Sequence, residues 1–330
     1  MKATLTSALT LTLTASTLMA ADTDHLVFEP TGTANGKHVV LLAGDEEYRS
    51  EEAMPMLGQI LAKQGFKCSV LFSLNADGTV NPEAGANLSH SESLENADAI
   101  VMSLRFRHWD DTSMERFDNA LNRGVPIVAL RTSTHAFKFP KDSKWAKYSF
   151  NAKKDSGWEK GFGRQVLGET WVNHHGKHKK EGTRSVVEQA NAKHPVLNAV
   201  GTIFGTTDVY GANPLAPSTI LLRGEVTQTL DPKSPAVEGK KNSPMMPIAW
   251  LREFKNTGSK PNRILTTTMG AATDLSDENL RRLVINGVYW GLEMDVPTKA
   301  DVTLPGSWNP TKYSFKTYKK GLKPADFIVK

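Results

Sequence analysis

The sequence predicts an α/β protein: a doubly wound, mostly parallel sheet with helices on both faces. Three observations predict it. Short, near-continuous apolar runs recur through the first half of the chain. Segments with apolar residues at helical spacing alternate with them. Glycine or a polar cluster closes each run, as strand ends and helix ends do.

The elements follow in order. "KHVVLLAG" (37–44) is a buried strand ended by glycine. "DEEYRSEEAMPMLGQILAKQG" follows, with Met54, Leu57, Ile60 and Leu61 at helical spacing and Gly65 at the position after the helix end. Pro55 lacks a backbone N–H, so this helix is expected to start just before it or to kink there. "FKCSVLF" (66–72) is a second strand, 75–93 a loop rich in Gly, Pro, Asn and Ser, and "ADAIVMSLRF" (97–106) a third strand. Thr112 and Glu115 have the spacing of a capping box, and Met114, Phe117 and Leu121 make one helix face stopped by Gly124. A fourth strand, 125–130, comes next.

Residues 138–163 are polar, rich in Lys and Trp, and give no clear period. A strand ending in histidines is expected within "QVLGETWVNHHGKH" (165–178). Further strands read as 183–190 and 218–226, and 244–254 and 262–270 read as a pair. The last helix has Ser276 as its expected N-cap and Leu280, Leu283, Val284, Gly287 and Val288 along one face.

With 330 residues, 39% hydrophobic and 23% charged, the chain has the composition of an ordinary globular protein. The net charge of +5 is modest, and no helix-turn-helix, finger or aromatic-basic platform is present, so a nucleic-acid partner is not expected. Lys2 followed by an apolar, Thr-rich run predicts a signal peptide over 1–20, cleaved near Ala20, and therefore export to the periplasm or medium. No later stretch is long and apolar enough to span a membrane. A polar lead-in (21–36), one domain (37–294) and a basic tail (295–330) complete the organisation. Cys68 is the only cysteine, so no intrachain disulfide is possible.

Ligands of doubly wound sheets bind beyond the carboxyl ends of the strands. The residues there are Asp45, Glu46, Tyr48 and Arg49 after the first strand, Arg105 and Arg107 after the third, and Arg131, Thr132, Ser133 and His135 after the fourth. Asp274 follows the 262–270 strand. The acidic run also suits a helix start, and Arg105 and Arg107 could simply pair with it. Arg131, directly after a buried run, needs partners. His135 reads equally as ligand, general base or a histidine satisfied by backbone. His174, His175 and His178 offer three imidazoles, but Gly176 breaks helical spacing and lysines crowd them. A substrate-contacting histidine is therefore preferred to a metal site, which stays as an alternative. Cys68 reads as a core residue inside a strand. No Gly-x-Ser-x-Gly elbow and no glycine-rich phosphate loop occurs, so no cofactor is expected.

Several stretches together resemble the ThuA-like (trehalose-utilisation) family. They are "LLAGDEEYRSEEAMPMLGQIL", "GVPIVALRTSTHAF", "VLGETWVNHHG", "KHPVL", "FGTTDVYGA" and "MMPIAWLREF" with "RILTTTMGAATDLSDENLRRLVINGVYWGL". The resemblance covers about 37–293 and implies a class I glutamine amidotransferase-like, flavodoxin-like fold. Its exported form is similar to those of planctomycetes. It also brings Asp208 and Tyr210 of "FGTTDVYGA" into the candidate substrate contacts, beside His175. Where true amidotransferases carry a catalytic cysteine, this chain has Arg131, so glutaminase chemistry is not expected. The resemblance implies a small-molecule carbohydrate as partner, with His135 or His174 as acid or base on keto-disaccharides or glycosides, by hydrolysis, elimination or isomerisation. The other class of reading is a non-catalytic carbohydrate-binding or scaffold protein that kept the fold.

Overall fold

A computed structural model describes residues 23–258 and 260–330; the expected signal peptide lies outside the described residues. Every expected buried run from 37 to 130 is a strand. β2 (His38–Gly44), β3 (Lys67–Leu71), β4 (Ala99–Leu104) and β5 (Ile127–Leu130) pair parallel in the order β3-β2-β4-β5. β10 (Asn262–Thr267) extends this parallel block against β5. Beyond it lie β9 (Met246–Phe254), β8 (Thr219–Val226), β6 (Thr183–Val187) and β7 (Phe204–Gly205), all antiparallel. Among the described residues the sheet thus has ten strands and is mixed, with five adjacent parallel strands at its centre.

Both faces are covered, because alternate residues of a strand point to opposite sides. Val39 and Leu41 pack with α1 (Ser50–Lys63) and α3 (Glu278–Gly291); Val40 and Leu42 pack with α2 (Asp111–Asn122) and the aromatic segment around Phe137, Tyr148 and Phe162. Both sides being apolar is why the strands read as continuous runs. The chain leaves β2 for β3 on one side and later enters β4 on the other. The crevice opened by that reversal lies beyond Gly44 and Leu104. Gly44 lets the two ends approach: a Cβ there would stand 2.9 Å from Leu104 Cδ2.

Local capping departs from several expectations. α1 begins at Ser50, five residues before Pro55. The Asp45 carboxylate accepts the N–H groups of Glu47 and Tyr48 at 2.7 and 2.8 Å, and Arg49 turns left-handed (φ 61°) into the helix. Pro55 then falls in the second turn and leaves the Glu51 carbonyl without its helical donor. Asp110, not Thr112, caps α2, since its carboxylate reaches the Ser113 N–H at 3.0 Å. Asp277, not Ser276, caps α3 through the N–H groups of Asn279 and Leu280.

The expected strand within 165–178 is absent. Gly163–Leu167 is a single π-helical turn, and the segment after it bonds sparsely to the 209–211 backbone, His174 forming one isolated bridge with Tyr210. The lead-in contains β1 (His25–Phe28), antiparallel to β3, too short to show a period. The tail returns over the domain, with Gln59 Nε2 donating to the Val329 carbonyl at 2.9 Å and Val80 N–H to Leu322 at 2.7 Å. Among the described residues, no helix is long and apolar enough to cross a membrane.

Candidate active site

The turn after β5 is built around Arg131, whose backbone is left-handed (φ 39°), a costly state for a residue with a Cβ. Its neighbours hold it there. Thr132 donates its hydroxyl to Asp45 Oδ2, which ties this turn to the turn after β2. Ser133 Oγ donates to the Met102 carbonyl at 3.0 Å and accepts the Leu104 N–H at 3.2 Å, which ties it to β4. Thr132 and Ser133 are fully buried, so the hydroxyls fasten strand ends together.

The Arg131 guanidinium is also fully buried. It donates to the carbonyls of Asp208 (3.1 Å) and Thr268 (2.8 Å), to Tyr48 Oη (3.2 Å) and to Asp208 Oδ1 (3.0 Å). Its carbon lies 4.5 Å from the Tyr48 ring centre and 4.1 Å from that of Tyr210. Burial pushes both phenols up, Tyr210 to about 12, so both stay protonated although the Arg131 charge opposes the shift. Arg131, set between two aromatic faces, is thus a strut that fixes Asp208.

Asp208 presents its carboxylate to two histidines. Oδ2 lies 2.7 Å from His174 Nδ1, and Oδ1 lies 3.1 Å from His178 Nδ1. Burial alone would raise its pKa, but the hydrogen bonds from His174 and His178 and the charge of Arg131 outweigh it and hold the carboxyl well below the usual range. His178 reaches on through Nε2 to Glu47 Oε1 at 3.1 Å. The bonds to Asp208 and Glu47 push His178 up to about 9, so at neutral pH it is an imidazolium bridging two carboxylates. His174 differs: 37% of its side chain is exposed, and among the described residues nothing bonds its Nε2.

His135 is buried, with Nδ1 3.3 Å from Thr134 Oγ1 and its ring among Phe106, Trp171 and Tyr210. Burial and the charges of Arg105 and Arg131 push it well below the ordinary imidazole value, which makes it a neutral ring.

The other expected residues fall around this centre. Glu46 pairs with Arg105 and, at 3.1 Å, with Arg107. Arg49 is held by the tail, donating to the Ser314 carbonyl at 2.9 Å and to Thr317 Oγ1. Asp274 accepts from Thr206, Thr207, Gly270 and Ala271, and so closes the turn after β10. His175 turns away, its Nε2 2.8 Å from the Lys241 carbonyl. It is therefore not part of the group of possible metal ligands here, which is His174, His178 and Asp208, with ligand atoms within 4.8 Å of one another. In the present arrangement both imidazoles bond that carboxylate, and Arg131 occupies the same oxygen as His178. Cys68 is buried in β3, its thiol pushed up by burial, as its place inside a strand implied.

Two residues of this centre are not singled out by the sequence, while Glu47 belongs to the acidic run collected after β2 and only its partner distinguishes it from Glu46. Trp171, at 5.8 Å from His174 between ring centres, stands three positions before it in "TWVNHH". Tyr313 comes from the tail and packs on Tyr48 at 4.9 Å; no local signal marks it.

A family model described as ThuA, trehalose utilisation, matches residues 38–291. Among solved structures, the chain is similar to a ThuA-like protein from Bacteroides uniformis ATCC 8492 (14% identity, 80% of this chain and 94% of that chain covered, TM-score 0.49). A ThuA-like protein from Parabacteroides merdae ATCC 43184 is similar too (12% identity, 85% and 97% covered, TM-score 0.49). No curated protein matches significantly.

Proposed function

We propose, proceeding from the fact that the chain belongs to the ThuA, trehalose-utilisation, family, that it processes carbohydrates by proton transfer at His174. The observation that carries this is the pair His174–Asp208. A buried carboxylate, held well below the usual range by its hydrogen bonds and the Arg131 charge, accepts from Nδ1 at 2.7 Å. In the neutral ring that bond places the proton on Nδ1 and leaves the lone pair on exposed Nε2. When Nε2 takes a proton from a substrate, Asp208 stabilises the imidazolium formed; when it returns the proton, the ring acts as acid. Keto-disaccharides and keto-glycosides suit this chemistry, because a carbonyl acidifies the neighbouring C–H and permits elimination or isomerisation through one base. Glutaminase chemistry has no support: the fold's strand-end turn carries Arg131, and the lone cysteine is in the core.

The test is turnover of 3-keto-disaccharides by the purified chain, with and without divalent metal, followed by NMR. Product formation supports the reading. Absence of product from every keto-sugar removes it. The second reading, a non-catalytic carbohydrate-binding protein, draws on the turn after β5, whose Thr132 and Ser133 hydroxyls are spent inside the protein. Sugar binding without product favours it. Export, with cleavage near Ala20, belongs to the same proposal and is checked by N-terminal sequencing of secreted protein.

A further inference from the structure

The tail beyond the family-matched span is fastened across the site from several sides. Thr311 gives its N–H and hydroxyl to Glu52 at 2.7 and 2.6 Å. Arg49 holds the Ser314 carbonyl and Thr317, and Lys179 Nζ reaches Ser314 Oγ at 3.2 Å. Tyr313 donates its hydroxyl to the Thr206 carbonyl at 2.9 Å, and its ring lies 6.0 Å from that of His178. Strapped this way, the segment leaves one large apolar side chain outside: Phe315 is 42% exposed.

Phe315 borders a cleft of about 340 Å³, whose walls include Glu46, Arg105, Phe106, His108 and Lys316. The Arg105 guanidinium lies 4.2 Å from the Phe106 ring centre and 4.9 Å from that of Phe315. Its Nη1 bonds Glu46, while Nε and Nη2 have no protein partner among the described residues. Phe106 in turn packs on His135 at 5.2 Å, and His135 on Trp171, beside His174. An aromatic face held on a rigid strap, next to unspent guanidinium donors and a carboxylate, matches the two sides of a sugar: C–H groups stack on the ring, and hydroxyls meet the charges. The cleft's size is within the roughly 300–1,000 Å³ of small-molecule sites.

We propose that this cleft is a pyranose subsite, and that Phe315, contributed by the tail, is a specificity-determining residue for the sugar processed at His174. The inference rests on the carbohydrate reading above, but it is tested by binding, which that reading's turnover assay does not decide.

The experiment titrates trehalose and 3-ketotrehalose into the full chain by calorimetry and saturation-transfer NMR, for wild type, Phe315→Ala and Phe315→Trp. Phe315→Ala is expected to weaken binding about fivefold to tenfold, the size of one lost stacking contact. Phe315→Trp is expected to bind within about twofold of wild type, and sugar C–H protons are expected to receive saturation from the ring. Because Phe315 is exposed, both variants are expected to keep the wild-type melting temperature. Where the wild type turns the sugar over, KM rises in Phe315→Ala and kcat holds. Binding without turnover would sink the catalytic reading and leave the subsite to be judged by Kd alone. Equal affinity of Phe315→Ala and wild type overturns the subsite, as does failure of the wild type to bind either sugar.

Discussion

Nδ1 of His174 lies 2.7 Å from Oδ2 of Asp208, and the other oxygen of that carboxylate is held at 3.0 Å by the buried Arg131. One histidine is thereby oriented by a group that cannot move and cannot readily take a proton. The relationship makes Asp208 a positioning residue and predicts what its replacement does. In Asp208→Asn, an amide N–H faces Nδ1 and favours the opposite tautomer, with the proton on Nε2. Turnover is expected to fall by about 10²–10⁴-fold, with KM changing much less. A proportional loss of kcat and binding would instead mean that Asp208 only shapes the cavity.

Arg131 is predicted to matter for folding as much as for chemistry. Arg131→Met removes one partner of a fully buried ion pair and leaves Asp208 to His174 and His178 alone. Breaking such a pair costs about 3–5 kcal/mol, so a clear drop in the urea midpoint is expected. A midpoint within error of wild type would show that the pair is dispensable.

Two shifted histidines of the site, His178 and His135, predict opposite pH limbs. His178 is pushed up to about 9 by Asp208 and Glu47, against about 6.5 in the unfolded chain. Its contribution is complete below that unfolded value and is lost as pH rises through 9. His135 is pushed down by burial, so the unfolded chain takes up a proton that the folded one refuses, and stability falls as pH drops below about 6.5. Urea titrations from acid to alkaline pH should therefore show His178→Ala flattening the alkaline limb and His135→Phe flattening the acid limb. Unchanged slopes in both variants would contradict the assignments.

Glu51 offers a stabilising substitution. Its side chain is buried in the first turn of α1, and neither carboxylate oxygen has a hydrogen-bond partner. Burial pushes it up to about 8, so the folded state keeps a proton that the unfolded chain gives up at neutral pH. Stability from this group is present at acid pH and declines between the unfolded value near 4.3 and 8. Removing the ionisation with Glu51→Gln is expected to add about 2–3 kcal/mol at pH 7, and nothing at pH 4. A gain equal at both pH values would point to packing instead.

The parallel strands were legible because burial on both faces makes their sequences continuously apolar: Val39 to Ala43 and Ile127 to Leu130 could hardly be anything else. Position at a strand end was legible too: Asp45, Arg105 and Arg131 do stand directly after β2, β4 and β5. What each side chain does there was not. Arg131 is satisfied by Asp208, 77 residues away, so a cation that looks free for a ligand is spent inside the protein. Among His174, His175 and His178 spacing alone could not tell which face Asp208, because the loop folds irregularly against 209–211 and turns His175 towards Lys241. Tyr313 and Phe315 flank Ser314, which meets Arg49 across 265 residues of sequence, and no local pattern encodes that return.

The proton-transfer role of His174 is tested most directly by single-turnover kinetics on a 3-keto-disaccharide, comparing wild type with His174→Gln across pH. Gln keeps a hydrogen-bonding side chain near Asp208 but supplies no basic ring nitrogen. The expected result is a fall in the chemical step of about 10²-fold or more and unchanged sugar affinity. A His174→Gln variant that turns over at the wild-type rate with the wild-type pH profile would contradict it.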